Sequence, residues 1–146
     1  MAAVVAAGLT GCSSDEPAEA SDTDEGTTRA DFIEVANDIC REANDRSREI
    51  ADTRPDSMLE ANAELIEQAI ADLRALPQPD GDEQVLERMY DRTDSLVADA
   101  RELARLLADP AADADEVART SEEVEALQRS VNDELTDYGL TECGAG

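Results

Sequence analysis

The sequence predicts an all-α protein: an up-down-up-down antiparallel four-helix bundle with a disordered N-terminal tether. Three observations carry that prediction. From about residue 28 onward, apolar residues recur at intervals of three and four, the spacing that gathers them on one face of a helix. Breaks rich in Pro, Asp and Gly divide this pattern into four segments with short connections. Aromatic residues make up only 2% of the chain, as Phe32, Tyr90 and Tyr138, so the core must be built from Leu, Ile, Val and Ala, which suits packed helices better than stacked sheets.

The first helix is expected from Thr28, with Asp31 three residues on as a capping-box-like acid. Its apolar row is Phe32, Val35, Ala36, Ile39, Cys40, Ala43 and Ile50, and Thr53-Arg54-Pro55 breaks it. The second starts at Asp56-Ser57, where Ser57 and Glu60 form a capping box, and carries Leu59, Ala63, Ile66, Ile70 and Leu73. The turn 77–81 follows. The third starts at Asp82, presents Val85, Met89, Leu96, Ala100, Leu103 and Leu107 beside Leu86, Tyr90, Val97 and Ala104, and ends at Asp109-Pro110. The fourth starts near Asp113 and carries Val117, Val124, Leu127, Val131, Leu135 and Tyr138, with Gly139 as its C-terminal cap. Each face is apolar and each connection short, which favours antiparallel packing of neighbours. A coiled-coil hairpin with helices three and four as long arms is the alternative.

Three regions are expected: 1–11, the remnant of a signal peptide; 12–28, a lipidated Cys and an acidic linker; and 29–144, the bundle. Residues 2–9 form a short apolar run, too short for a membrane-spanning helix but the size of a secretory signal core. It runs into Leu9-Thr10-Gly11-Cys12, which resembles a bacterial lipobox. That resemblance implies acylation of Cys12, palmitate included, and cleavage before it. No basic residue precedes the apolar run, so the true start codon is expected further upstream. Residues 13–28 combine acids with Ser, Thr, Pro and Gly and hold no large apolar residue, the composition of an extended charged tether.

Composition excludes several classes of function. The chain of 146 residues carries 37 acidic and 12 basic residues, a formal net charge of −25, and every basic residue is Arg. Nucleic acid is therefore an unsuitable partner, because phosphate binding needs a cationic surface. With no His there is no Ser-His-Asp or Cys-His catalysis and no imidazole metal ligand. Di-metal bundle enzymes rely on Glu-x-x-His, which this chain cannot supply. No enzymatic activity and no cofactor are expected.

With lipid on Cys12, Cys40 and Cys143 remain. Outside the cytoplasm disulfides persist, and an antiparallel bundle returns the end of helix four to the start of helix one. A Cys40–Cys143 disulfide is predicted, against a reading in which Cys40 is a buried small hydrophobe and Cys143 a loose thiol. Residues 36–40, Ala-Asn-Asp-Ile-Cys, and 138–143, Tyr-Gly-Leu-Thr-Glu-Cys, resemble segments of small exported helical proteins and lipoproteins of actinobacteria, over about residues 30–144. The resemblance implies architecture and location and carries no catalytic residue.

The expected function is thus a membrane-anchored extracytoplasmic lipoprotein acting as a non-catalytic binding, sensing or scaffold module, attached through lipid on Cys12 and engaging an envelope protein partner. The alternative is a small-ligand or divalent-cation carrier. Asp80, Asp82 and Glu83 are the candidate cation ligands, and Asp109, Asp113, Asp115 and Glu116 form a second acidic cluster. Both clusters sit at helix starts, where acids also serve as caps. Asn37, Asn44, Asn62, Thr93 and Gln128 fall on inward faces and read as margin residues or interhelical hydrogen bonds. An unpaired Asn cluster beside a cavity would favour ligand binding over scaffolding.

Overall fold

The computed structural model describes residues 26–53 and 58–145. The expected signal remnant, Cys12, most of the expected acidic linker and the expected Asp56-Ser57 helix start lie outside the described residues. Four helices run in chain order: α1 (Arg29–Thr53), α2 (Met58–Ala75), α3 (Glu83–Ala108) and α4 (Ala114–Tyr138), followed by a 3-10 turn, Cys143–Ala145. No strand occurs among the described residues. Each helix packs on its neighbour in sequence, giving the four-helix bundle that the apolar periodicity predicts.

The helix ends follow the local chemistry of the sequence. Thr28 Oγ1 accepts the backbone N–H of Asp31 at 3.2 Å and donates to the Asp31 carboxylate at 2.6 Å, starting α1. Asp113 caps α4 by accepting from the amides of Asp115 and Glu116. Gly139 ends α4 in the left-handed region at φ 112°, and the Leu140 amide reaches back to the Leu135 carbonyl at 2.9 Å. This is a Schellman-type 6→1 bond. A Cβ on Gly139 would stand 2.9 Å from Ile33 Cδ1, so both space and backbone conformation call for glycine there.

The core is uneven along the bundle axis. All three aromatic residues gather at one end, formed by the start of α1, the end of α2, the start of α3 and the end of α4. Phe32 meets Tyr138 edge to face with centroids 6.4 Å apart, and Tyr90, Leu73, Leu86 and Leu140 are fully buried in the same region. Further along the axis no aromatic side chain supplies volume.

Two side chains depart from the predicted apolar rows. Val35 is 47% exposed, while Ile33 packs against the core. Leu107 is 58% exposed and Leu106 takes the buried place. Rows drawn at strict intervals drift off the buried face of a long helix, and a neighbouring residue replaces the expected one.

The α1/α4 side is built differently from the other three. Among the described residues no Cα of α1 lies within 8 Å of a Cα of α4. The C-terminal tail fills part of this gap and contacts both helices. Cys40 and Cys143 are disulfide-bonded, with Cα atoms 4.9 Å apart and 103 positions between them in sequence. Asn37 grips the tail from both sides: its amide donates to the Gly139 carbonyl at 3.1 Å and its carbonyl accepts from the Glu142 amide at 2.9 Å. Asn44 donates to the Glu142 carbonyl at 2.7 Å. Gly144 fits tightly on α4, where a Cβ would lie 2.6 Å from the Asn132 carbonyl oxygen.

Candidate functional site

Where the aromatic residues end, the interior is hollow. A cavity of about 240 Å³ lies among all four helices and reaches Cys143 at the disulfide. Its floor comes from α2 and α3, with Ala63 and Ile66 facing Leu96, Val97 and Ala100. Val124, Val131 and Leu135 of α4 continue the apolar wall. Ala43, Ala63 and Ala100 stand on this lining and no aromatic residue does, so small side chains leave volume unfilled here.

Polar groups come from all four helices: Asn44 and Ser47 from α1, Asn62 from α2, Thr93 from α3, and Gln128 and Asn132 from α4. Asn44, Ser47 and Asn132 are half-buried and Gln128 is exposed, while Ala63, Leu96 and Val97 on the floor are buried and Ile66 and Ala100 half-buried. The α1/α4 side, where the two backbones stand apart, is the side least closed by helix packing. Ser47 donates to the Asn62 carbonyl at 3.0 Å. Thr93, the one buried polar residue of the core, donates to the Met89 carbonyl at 2.9 Å. Four of the five inward polar residues singled out in the sequence, Asn44, Asn62, Thr93 and Gln128, line this one space. They are hydrogen-bonded or partnered and do not form an unpaired cluster. The fifth, Asn37, holds the tail.

Among the described residues no lining residue carries a formal charge. The charges go to the surface and there tie helices together. Arg101 forks onto both carboxylate oxygens of Glu67 and lies 3.4 Å from Glu60, joining α3 to α2. That hydrogen-bonded guanidinium holds the Glu67 carboxyl below its ordinary range. Arg92 bridges to Ser130 and Glu134 of α4. Arg74 of α2 stacks over the Tyr90 ring at 5.3 Å and faces Asp94, Glu87 and Asp91 of α3 at 2.9, 3.4 and 3.5 Å. Arg74, Glu83 and Glu87 also rim a shallow surface depression with Tyr90 at its base.

The acidic clusters do not converge on a cation site. Among the described residues no group of three or more His, Cys, Asp or Glu is placed to hold a metal ion. Asp82 precedes α3 as predicted, but its side chain makes no cap. It accepts instead from Tyr138 and pairs with Arg29 at 3.4 Å. Asp80 sits in the turn closed by the Asp82 amide bonding to the Pro79 carbonyl, and Glu83 lies on the rim beside Arg74. In the second cluster, Asp109 accepts from the Ala111 amide and Asp113 caps α4. Backbone N–H groups have taken Asp109 and Asp113, and the Tyr138 hydroxyl with Arg29 has taken Asp82.

Two tyrosines have altered phenols. Burial, then the hydrogen bond and charge of Asp82, push Tyr138 well above its ordinary value of 10.0, and Arg29, 4.1 Å over the ring, opposes them. Burial also raises Tyr90, while Gln78 and Arg74 pull it down. Neither phenol lies in the cavity.

No helix of the described residues is long and apolar enough to cross a membrane. Comparison with protein-family models, with curated proteins and with solved structures finds no match to this chain.

Proposed function

We propose that this protein is a non-catalytic binding module, held on the outer face of a membrane by a lipid on Cys12, and that its binding site is the cavity between the four helices. The observation that carries this reading is the cavity itself, largely apolar and with no ionised side chain among its described lining residues, in a chain of net charge −25. The polar side chains beside it are partnered, so the reading rests on the cavity and not on an unpaired Asn cluster. An unfilled apolar space lowers stability by roughly 24 cal/mol per Å³, so a fitting occupant stabilises the bundle. The Cys40–Cys143 disulfide supports an oxidising location. The lipobox-like residues 9–12 and the acidic segment after them supply the attachment and the spacer.

Thermal unfolding of the oxidised full chain tests the reading. Against a chemically mixed set of small molecules, neutral, anionic and cationic, at least one class raises the melting temperature. The shift disappears in Ala100→Phe, whose ring occupies the cavity. A set in which no member shifts the native chain contradicts the proposal.

A further inference from the structure

We infer that the cavity takes a neutral aliphatic amphipath: a short alkyl body ending in one hydroxyl, ester or amide group. This rests on the proposed binding function and specifies its ligand. Size comes first. At about 240 Å³ the cavity is smaller than the ~300 Å³ at which pockets for drug-sized molecules begin.

Charge is the second constraint. An ion placed among Ile66, Val97 and Val131 would lose its hydration with no counter-charge on the lining, because among the described residues no lining side chain is ionised. The guanidinium groups of Arg92 and Arg101, next in sequence to the lining residues Thr93 and Ala100, are committed to carboxylates on the surface. Anions meet a further barrier in the field of a chain carrying −25.

The shape of the body follows from the wall. No aromatic side chain lines the cavity, so nothing there stacks on a planar ring, and the aliphatic wall suits an alkyl chain. The polar end is fixed by the α1 side. Asn44 and Ser47 each donate one hydrogen bond, to the Glu142 and Asn62 carbonyls, and the second amide hydrogen and oxygen of Asn44 and the lone pairs of Ser47 are the groups a ligand can use. A hydroxyl or carbonyl at that level hydrogen-bonds while its alkyl body lies inside.

Calorimetric titration of the oxidised full chain with matched probes tests the inference: 1-hexanol, 1-octanol and 1-decanol, then octanoate and octylammonium. The alcohols bind one per chain and tighten by about fourfold per added methylene, the equivalent of ~0.8 kcal/mol each, until the cavity is filled. Octanoate and octylammonium bind at least about tenfold more weakly than octanol, as burial of an unpaired charge requires. Octanol binding falls by a similar factor in Ala100→Phe. Far-ultraviolet circular dichroism verifies that variant's fold, and Ala100→Leu replaces it if the fold is lost. If octanoate or octylammonium matches octanol and is equally sensitive to these variants, the ligand class is overturned while the binding function stands. If no probe binds, or binding ignores both variants, both proposals fall.

Discussion

Tyr138 donates its phenolic hydrogen to the carboxylate of Asp82 across 2.7 Å, joining the last turn of α4 to the first of α3. The bond takes Asp82 away from the cap of α3 and gives it a long-range role beside Arg29. A hydrogen bond to a charged, half-buried partner contributes about 1.5–3 kcal/mol. Tyr138→Phe should therefore lower the free energy of unfolding by about 1–2 kcal/mol at neutral pH, measured by urea denaturation.

The same phenol sets the alkaline limit of stability. Tyr138 and Tyr90 both hold their protons above the ordinary value of 10.0. Below that pH the phenols are protonated in both folded and unfolded chains, and the stabilisation is complete. Above it the unfolded chain ionises first, so stability falls as pH rises through the higher folded-state values. The chain has no Lys, Arg ionises higher still, and Cys40 and Cys143 are bonded, so among the described residues the tyrosines dominate this range. Unfolding free energies should be flat to about pH 10 and then decline, with a shallower decline in Tyr138→Phe. Tyrosinate absorbance on unfolding checks the protons released.

The Cys40–Cys143 disulfide closes a loop with a sequence separation of 103. Chain entropy assigns such a loop about 4–5 kcal/mol. The double variant Cys40→Ala/Cys143→Ala should lose about 4 kcal/mol in denaturant titrations, and reductant should affect the native chain alone.

Asn37 holds the tail independently of the sulfur bridge. Asn37→Ala leaves the Gly139 carbonyl and the Glu142 amide without their partner. Native-state hydrogen exchange at Glu142 should accelerate by about tenfold or more, as loss of ~1.4 kcal/mol or more implies, while the Val131 amide in the body of α4 changes less.

Salt separates two opposing effects on this acidic surface. The Arg pairs, such as Arg101 with Glu67 and Arg105 with Glu102, are largely exposed and contribute little each. Repulsion from a net charge of −25 acts over the whole molecule. Raising sodium chloride from about 0.05 to about 1 M, which shortens the screening length to about 3 Å, should raise the melting temperature. A fall would mean that the ion pairs dominate.

The helices were legible in the sequence because each signal was local. Thr28 with Asp31, Asp113 and Gly139 mark helix ends through contacts within a few residues, and the structure uses them as read. The cysteine pair was legible from topology. What could not be read depends on distant partners. Asp82 looked like a cap and a cation ligand until Tyr138 arrived from the other end of the chain. Leu140 lies beyond the last helix, yet the turn at Gly139 buries it completely. The cavity depends on how rows from four helices face each other, which no single row encodes. Its trace in the sequence was Ala43, Ala63 and Ala100 at inward positions, far from any aromatic, with Asn44, Asn62, Thr93 and Gln128 nearby.

The most direct test of a stapled binding module working outside the cytoplasm is the intact mass of the protein taken from its own cells. The account predicts recovery from membranes, a chain beginning at Cys12 with acyl groups attached, and a mass lighter by the hydrogens that one disulfide removes. Recovery from the cytosol of a chain retaining the residues before Cys12, with all three cysteines as unmodified thiols, would contradict it.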